Sequence, residues 1–212
     1  MRRWGLFHTA VVLSILSGIA LGAGPHGSPE QHHAPAAPPS RMARTQVAAE
    51  APDFVLTDQD GRRFALRDLA GKAVLVSFIY TSCPDVCPVM FNVVTEVQRR
   101  VQAEGRGDVV SVFVTTDPEV DSPQVLKAFA LRRGADLSST YLLTGSPDEL
   151  RAVWSAFGVK VKRRARGLVD HSPLTVLIDA RGVIRYRYLS GFPEAEIVAA
   201  DVRNVLRSRV TR

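Results

Sequence analysis

Two cysteines lie four residues apart in the segment 80–88, and they are the only cysteines among the 212 residues of the chain. Cys83 and Cys87 follow a strongly apolar stretch at 73–79, and a proline follows each of them. If a helix begins here, one helical turn separates the two residues, so both sulfurs can face the same point. Two thiols placed in this way can close a disulfide, attack another disulfide or hold a soft metal ion.

Alternating strands and helices surround the pair. The segments 54–56 and 63–66 flank an Asp-Gly turn, which predicts a β-hairpin. Apolar residues recur at helical spacing over 86–103, which predicts a helix that carries Cys87. Further strands are predicted at 74–80, 109–115, 141–143, 175–178 and 183–188, and further helices at 122–133, 146–157 and 194–207. No glycine-rich phosphate loop follows a strand, so the order favours an α/β, thioredoxin-like fold over a nucleotide binder. We expect a central mixed sheet flanked by helices, with an N-terminal β-hairpin extension.

Composition divides the chain into three parts. Residues 1–23 contain two arginines and then an apolar stretch, which is typical of a secretory signal peptide and equally of an N-terminal membrane anchor. Residues 24–50 are rich in Pro, Ala and His without apolar periodicity, so we expect a flexible tether. Residues 51–212 are long enough to bury the core of one domain. The mild positive charge of this part does not indicate a nucleic-acid partner.

A third donor is expected from His171, the only histidine outside residues 1–50. It lies just before the predicted strand 175–178, and in a thioredoxin-like sheet the loop before that strand passes beside the cysteine helix. Two thiolates and one imidazole suit copper, because sulfur holds Cu(I) and nitrogen helps to accept Cu(II). Zinc would accept the same donors but normally takes a fourth ligand. A purely structural disulfide is a weaker hypothesis, since so small a loop adds little stability.

A basic run at 160–166 precedes His171 closely. One interpretation is an exposed loop or hairpin with no special function. The other is a docking patch that attracts an acidic partner through long-range electrostatics.

Together these motifs resemble the Sco/SenC family, the thioredoxin-fold copper chaperones of cytochrome c oxidase assembly, from about residue 52 to the C terminus. Val120 stands where the family commonly has an arginine, and Gly167 where it often has a tyrosine. Neither position is a ligand, so these differences concern partner contacts rather than metal binding. The matching patterns are Thr-x-Cys-Pro-Asp-x-Cys-Pro at 81–88, Asp-His-Ser at 170–172, Asp-Pro-Glu at 117–119 with Ser-Pro at 122–123, and Pro-Asp-Phe-x-Leu-x-Asp at 52–58.

The resemblance implies that Cys83, Cys87 and His171 hold a copper ion in an exported metallochaperone, rather than forming the catalytic centre of an enzyme. The implied partner is subunit II of cytochrome c oxidase, with its dithiol copper site, approached from the periplasmic face of the inner membrane. The membrane, through residues 1–23, and other periplasmic copper chaperones or thiol reductases are further candidate partners. Direct exchange between thiolates leads us to expect the ligands at the protein surface.

Other functions of the same fold are weighed against this one. A peroxiredoxin needs threonine three residues before its nucleophile, where this chain has Tyr80. A thioredoxin-type reductase normally carries Trp-Cys-x-x-Cys, with a shorter spacing. The open alternatives are a thiol–disulfide oxidoreductase that reduces the cysteines of the oxidase copper site, and a redox or copper sensor.

Overall fold

The structure is a computed structural model that describes residues 43–105, 108–164, 167–189 and 194–208. The predicted signal peptide or anchor at 1–23 and the first part of the predicted tether, 24–42, lie outside these residues. Within the described ranges, no helix combines the length and apolarity needed to cross a membrane.

The described residues form ten strands and four α-helices. The strands are β1 (Ala43–Glu50), β2 (Val55–Thr57), β3 (Arg63–Ala65), β4 (Ala73–Ile79), β5 (Val109–Thr115), β6 (Thr140–Leu143), β7 (Val161–Arg163), β8 (Val169–His171), β9 (Leu174–Ile178) and β10 (Val183–Leu189). The helices are α1 (Val86–Ala103), α2 (Pro123–Arg132), α3 (Pro147–Phe157) and α4 (Ala195–Arg207).

Six strands form one mixed sheet in the order β1-β10-β9-β4-β5-β6. The strands β4, β5 and β6 run parallel to one another. The pairs β1–β10, β10–β9 and β9–β4 are antiparallel. The strands β2 and β3 form a separate hairpin, as do β7 and β8. This arrangement confirms the predicted thioredoxin-like α/β fold with its N-terminal hairpin extension.

Alternation along the central strands divides the core between the two faces of the sheet. One face packs α1, α2 and α4 against alternate residues of the sheet, and the other packs α3 and the β2–β3 hairpin. Buried residues on the first face include Leu75, Phe113, Leu177, Phe91, Phe129 and Val202. Those on the second include Val76, Val112, Val176, Leu56 and Phe157. Every residue of β4 is buried, which fits its position between two neighbours in the sheet.

The prediction of a tether through residue 50 is wrong for its last eight residues, because residues 43–50 form β1. This strand lies at the sheet edge and is almost wholly exposed, so it lacks the alternation of apolar and polar residues that would reveal a strand. Its pairing with β10 depends on backbone hydrogen bonds, which every sequence can supply. The domain therefore begins by residue 43.

Strand register places the entry of the chain near the start of β9. Ala43 pairs with Leu189, and Leu189 in turn pairs with Leu174. Neighbouring strands lie roughly 4.8 Å apart. The chain therefore enters β1 at the same end of the sheet as Leu174, two strands away.

A charged cluster fastens β1 to the rest of the domain. The Arg44 guanidinium donates to both carboxylate oxygens of Asp201, over 2.6 and 2.5 Å, and lies 4.4 Å from the centre of the Tyr186 ring. The Tyr188 hydroxyl donates to the same carboxylate over 2.9 Å. Asp201 is buried, so its charge depends on these two partners for compensation.

We expect Arg44→Gln to lower the free energy of unfolding by about 1–3 kcal/mol, because it leaves a buried carboxylate with an incomplete set of donors. Urea denaturation of the variant and the unmodified chain measures the difference. Lys72→Gln is the control, since Lys72 is exposed and makes no ion pair among the described residues. Equal stability of the two variants would contradict a stabilising role for Arg44.

Candidate metal centre

The site begins in the turn between β4 and α1. Cys83 lies in this turn and Cys87 in the first turn of α1. The helix has no side-chain cap from Asp85, and the backbone N–H of Cys87 instead donates to the Cys83 sulfur over 3.5 Å. A helix start carries unpaired N–H groups that favour a negative partner. The sulfur of Cys83 occupies that position.

His171 reaches the same place from the other side of the pocket. It ends β8, which pairs with β7. Its Nε2 lies 3.8 Å from the Cys87 sulfur, and its Nδ1 lies 3.3 Å from the carbonyl oxygen of Ser172. The tautomer that satisfies both contacts carries its proton on Nδ1, which donates to the carbonyl and leaves the Nε2 lone pair facing the sulfur.

Tyr80 connects the two halves of the site, and the sequence analysis did not assign it a role there. Its hydroxyl contacts both the Cys83 thiol and the backbone of Val169 in β8. Its ring packs edge-on against the His171 imidazole, with 6.0 Å between centroids. Burial and the neighbouring Cys83 together raise the pKa of Tyr80 to about 12. Tyr80 therefore stays protonated near neutral pH and can donate to a Cys83 thiolate.

The cysteines and His171 line one pocket of about 410 Å³. The expectation that the ligands lie at the protein surface is wrong for the two sulfurs, because Cys83 is 7% exposed and Cys87 only 2%. His171 is half-buried and is the most accessible of the three. The other lining residues are Phe78, Ile79, Tyr80, Val86, Met90, Val169, Asp170, Pro173 and Leu174. A mostly apolar pocket leads to donors that are themselves buried.

The two thiols differ in acidity. Burial opposes ionisation of Cys83, but the backbone N–H groups of Asp85 and Cys87 outweigh it and lower the Cys83 pKa below its ordinary value. Burial, with a contribution from nearby Cys83, raises the pKa of Cys87 to about 12. Cys83 is thus the more readily ionised of the two thiols, and Cys87 keeps its proton near neutral pH.

Burial also lowers the pKa of His171, against the opposing effect of the Ser172 backbone. The imidazole is therefore neutral at pH 7. A neutral imidazole has a free nitrogen lone pair, which is the form that binds a metal ion.

The donor set fits a soft metal ion. Both cysteines are free thiols, and His171 presents Nε2 to one of them. Metal–sulfur and metal–nitrogen bonds of about 2.3 and 2.0 Å can bridge atoms up to about 4.3 Å apart, and the observed 3.8 Å lies within that span. In the described part of the chain, no three His, Cys, Asp or Glu side chains are already gathered as a finished metal centre. Cys83 would complete the set, and its thiol already contacts that of Cys87.

We expect Cys83 to react with iodoacetamide faster than Cys87 at pH 8, because only the thiolate is nucleophilic. A thiol with a pKa near 12 is ionised in about one molecule in ten thousand at that pH. The metal-free variants Cys87→Ser and Cys83→Ser isolate the two thiols, and mass spectrometry measures each rate. A faster reaction of Cys87 would overturn the assigned difference in acidity.

The family model described as SCO1/SenC matches residues 42–207. A similar protein, the "SCO2-like protein" of Rickettsia felis, is 35% identical over 150 residues, which cover 67% of this chain and 71% of the relative.

Two solved structures share the fold. That of Arabidopsis thaliana ScoI, described as having copper bound, superposes with a TM-score of 0.68 at 27% identity, covering 76% of this chain and 99% of that one. BsSco is described as having a disulfide switch and as a member of the Sco family of cytochrome c oxidase assembly proteins. It superposes with a TM-score of 0.66 at 28% identity, covering 76% of this chain and 95% of that one. With the family model matching more than three quarters of its length, the chain belongs to the SCO1/SenC family.

Proposed function

We propose that this domain binds copper through Cys83, Cys87 and His171 and delivers it to the dithiol copper site of cytochrome c oxidase subunit II. The observation that carries the proposal is the approach of His171 Nε2 to 3.8 Å from the Cys87 sulfur, in a pocket that Cys83 also lines. A relative of the same fold is described as having copper bound, and another as a member of a family of oxidase assembly proteins.

The chemistry of the three donors supports copper as the cargo. Two sulfur donors suit Cu(I), and an added imidazole helps to accept Cu(II). Cys83 ionises more easily than an ordinary thiol, and His171 is neutral at pH 7, which is the form that binds a metal ion. Cys87 must lose its proton to the solvent on binding, because the Nε2 lone pair of His171 is itself a metal donor. Metal binding by this site would therefore release protons and strengthen as the pH rises.

The surface around the pocket supports contact with another protein. Val86 lines the pocket and is 43% exposed, and Leu168, next to the pocket residue Val169, is 46% exposed. Lys160, just before β7, and Lys162, within β7, are both exposed. Exposed apolar residues at a pocket, with exposed lysines in and just before β7, suit a partner with an apolar contact area and some acidic groups.

The entry point of the chain supports a membrane-bound target. Ala43 lies two strands away from Leu174 at the same end of the sheet, and Leu174 lines the pocket. Export, with residues 1–23 as signal peptide or anchor, would place the domain on the periplasmic face of the inner membrane. Attachment through residues 24–42 would then raise the concentration of the pocket near the membrane.

Thiol–disulfide exchange is the second candidate function, and the unequal acidity of the two thiols favours it. The Cys83 thiolate would attack a partner disulfide, and Cys87 would then displace the partner from the mixed disulfide. The domain dithiol would become a disulfide while the partner disulfide becomes a dithiol, with two electrons and two protons transferred.

A transfer experiment distinguishes the two functions. Copper(I)-loaded domain is mixed with the soluble copper domain of subunit II in its dithiol form, and metal-free reduced domain with the disulfide form. Delivery predicts copper in the partner after separation in the first mixture, with loss of transfer in Cys83→Ser. Reduction of the partner in the second mixture without copper transfer in the first would establish the reductase instead.

A further inference from the structure

We propose that the loop between β5 and α2 positions both halves of the site, with Asp121 holding the cysteine turn and Asp117 holding the hairpin of His171 through Arg163. The two carboxylates lie four residues apart in one loop. Asp117, Asp121 and Arg163 are positioning residues in this proposal, which rests on the proposed copper site.

Asp121 holds the cysteine side. Its carboxylate accepts from the backbone N–H of Thr81 over 3.1 Å and from the Thr81 hydroxyl. The hydroxyl of Thr115 donates over 2.5 Å to Oδ2, the oxygen that also accepts the Thr81 N–H. Asp121 is fully buried, and Thr81 stands two residues before Cys83. These contacts fix the start of the turn that carries the first sulfur.

Asp117 holds the histidine side. The Arg163 guanidinium donates to one oxygen of Asp117 and forms an ion pair with Glu119 over 3.3 Å. Asp117 is 1% exposed, and its second carboxylate oxygen has no hydrogen-bond partner among the described residues. Arg163 is therefore the side-chain partner on which this buried carboxylate depends. Loss of that partner would leave a buried charge unpaired.

Arg163 lies on the strand next to that of His171. In the β7–β8 hairpin, Arg163 pairs with Val169 and Val161 pairs with His171. The hairpin is a separate two-stranded sheet, so no ladder of the central sheet fixes its position. Other contacts hold it in place: Val161 and Val169 pack against the core, the Val169 backbone contacts the Tyr80 hydroxyl, and Arg163 pairs with Asp117.

The loop itself is well fixed. The backbone N–H of Asp121 donates to the carbonyl of Asp117 over 2.9 Å, which closes one turn between the two carboxylates. The N–H of Thr116 donates to the carbonyl of Ile79, the last residue of β4, over 2.7 Å. A movement of the hairpin relative to this loop therefore changes the distance between His171 and the cysteines.

Arg163→Gln is the test, with Lys162→Gln as a matched control that removes one positive charge from the same strand. Lys162 is exposed and has no ion pair in the described ranges. We expect Arg163→Gln to weaken Cu(II) binding about tenfold or more, the usual effect of removing a residue that orients a ligand. Cu(I) binding should change less, because two thiolates already satisfy that ion. Arg163→Lys should restore part of the loss, since lysine supplies charge without the two-pronged geometry of arginine.

A double variant separates positioning from a general loss of structure. If Arg163 acts through His171, Arg163→Gln adds no further loss of Cu(II) affinity in the His171→Ala background. Independent, additive losses would overturn the proposal, as would equal Cu(II) affinities for Arg163→Gln and Lys162→Gln.

A measurement without copper keeps the proposal independent of the metal assignment. Nuclear Overhauser contacts between the rings of Tyr80 and His171, which are 6.0 Å apart, should weaken in metal-free Arg163→Gln and persist in Lys162→Gln. Unchanged contacts in Arg163→Gln would contradict the positioning role. If the unmodified protein binds no copper through these residues, the proposed function fails, whereas this measurement still decides the role of Arg163.

Discussion

The antiparallel pairing of β9 with β4 brings together residues that are far apart in sequence. In that register Ser77 faces Thr175, and their hydroxyls share a buried hydrogen bond of 2.8 Å. The chain therefore leaves β4 toward the cysteines beside the point where it enters β9 from His171. Because β4 is buried between β5 and β9, this juxtaposition depends on the most protected part of the core. The pairing of β4 with β9 in the sheet therefore determines where the site lies.

Local contacts then give the two sulfurs different properties. Cys83 accepts the free N–H of Cys87 at the start of α1 and meets the Tyr80 hydroxyl, whereas Cys87 is more deeply buried. Donors around Cys83 favour its ionised form, and the lack of solvent around Cys87 disfavours ionisation. The same asymmetry would serve either copper transfer or thiol exchange, which explains why one architecture supports both hypotheses.

The sequence was sufficient for the elements with periodic apolar residues and for naming three residues, Cys83, Cys87 and His171, that line one pocket of the structure. The helix at 86–103 and the strand at 109–115 occur at the predicted residues, since burial of one face imposes the pattern. The edge strand β1 escaped prediction because solvent imposes no such pattern on it. Burial of the sulfurs and the pairing of Arg163 with Asp117 also escaped, because both arise from packing between segments distant in sequence.

The central claim is that Cys83, Cys87 and His171 form one copper site. X-ray absorption spectroscopy of the copper(I)-loaded protein tests it most directly, with a variant in which His26, His32 and His33 are alanine as a control for binding to the N-terminal segment. The account predicts two sulfur donors and one nitrogen donor per copper in both proteins, with the nitrogen lost in His171→Ala. A copper ion without sulfur donors, or a nitrogen signal that persists in His171→Ala of the control variant, would contradict it.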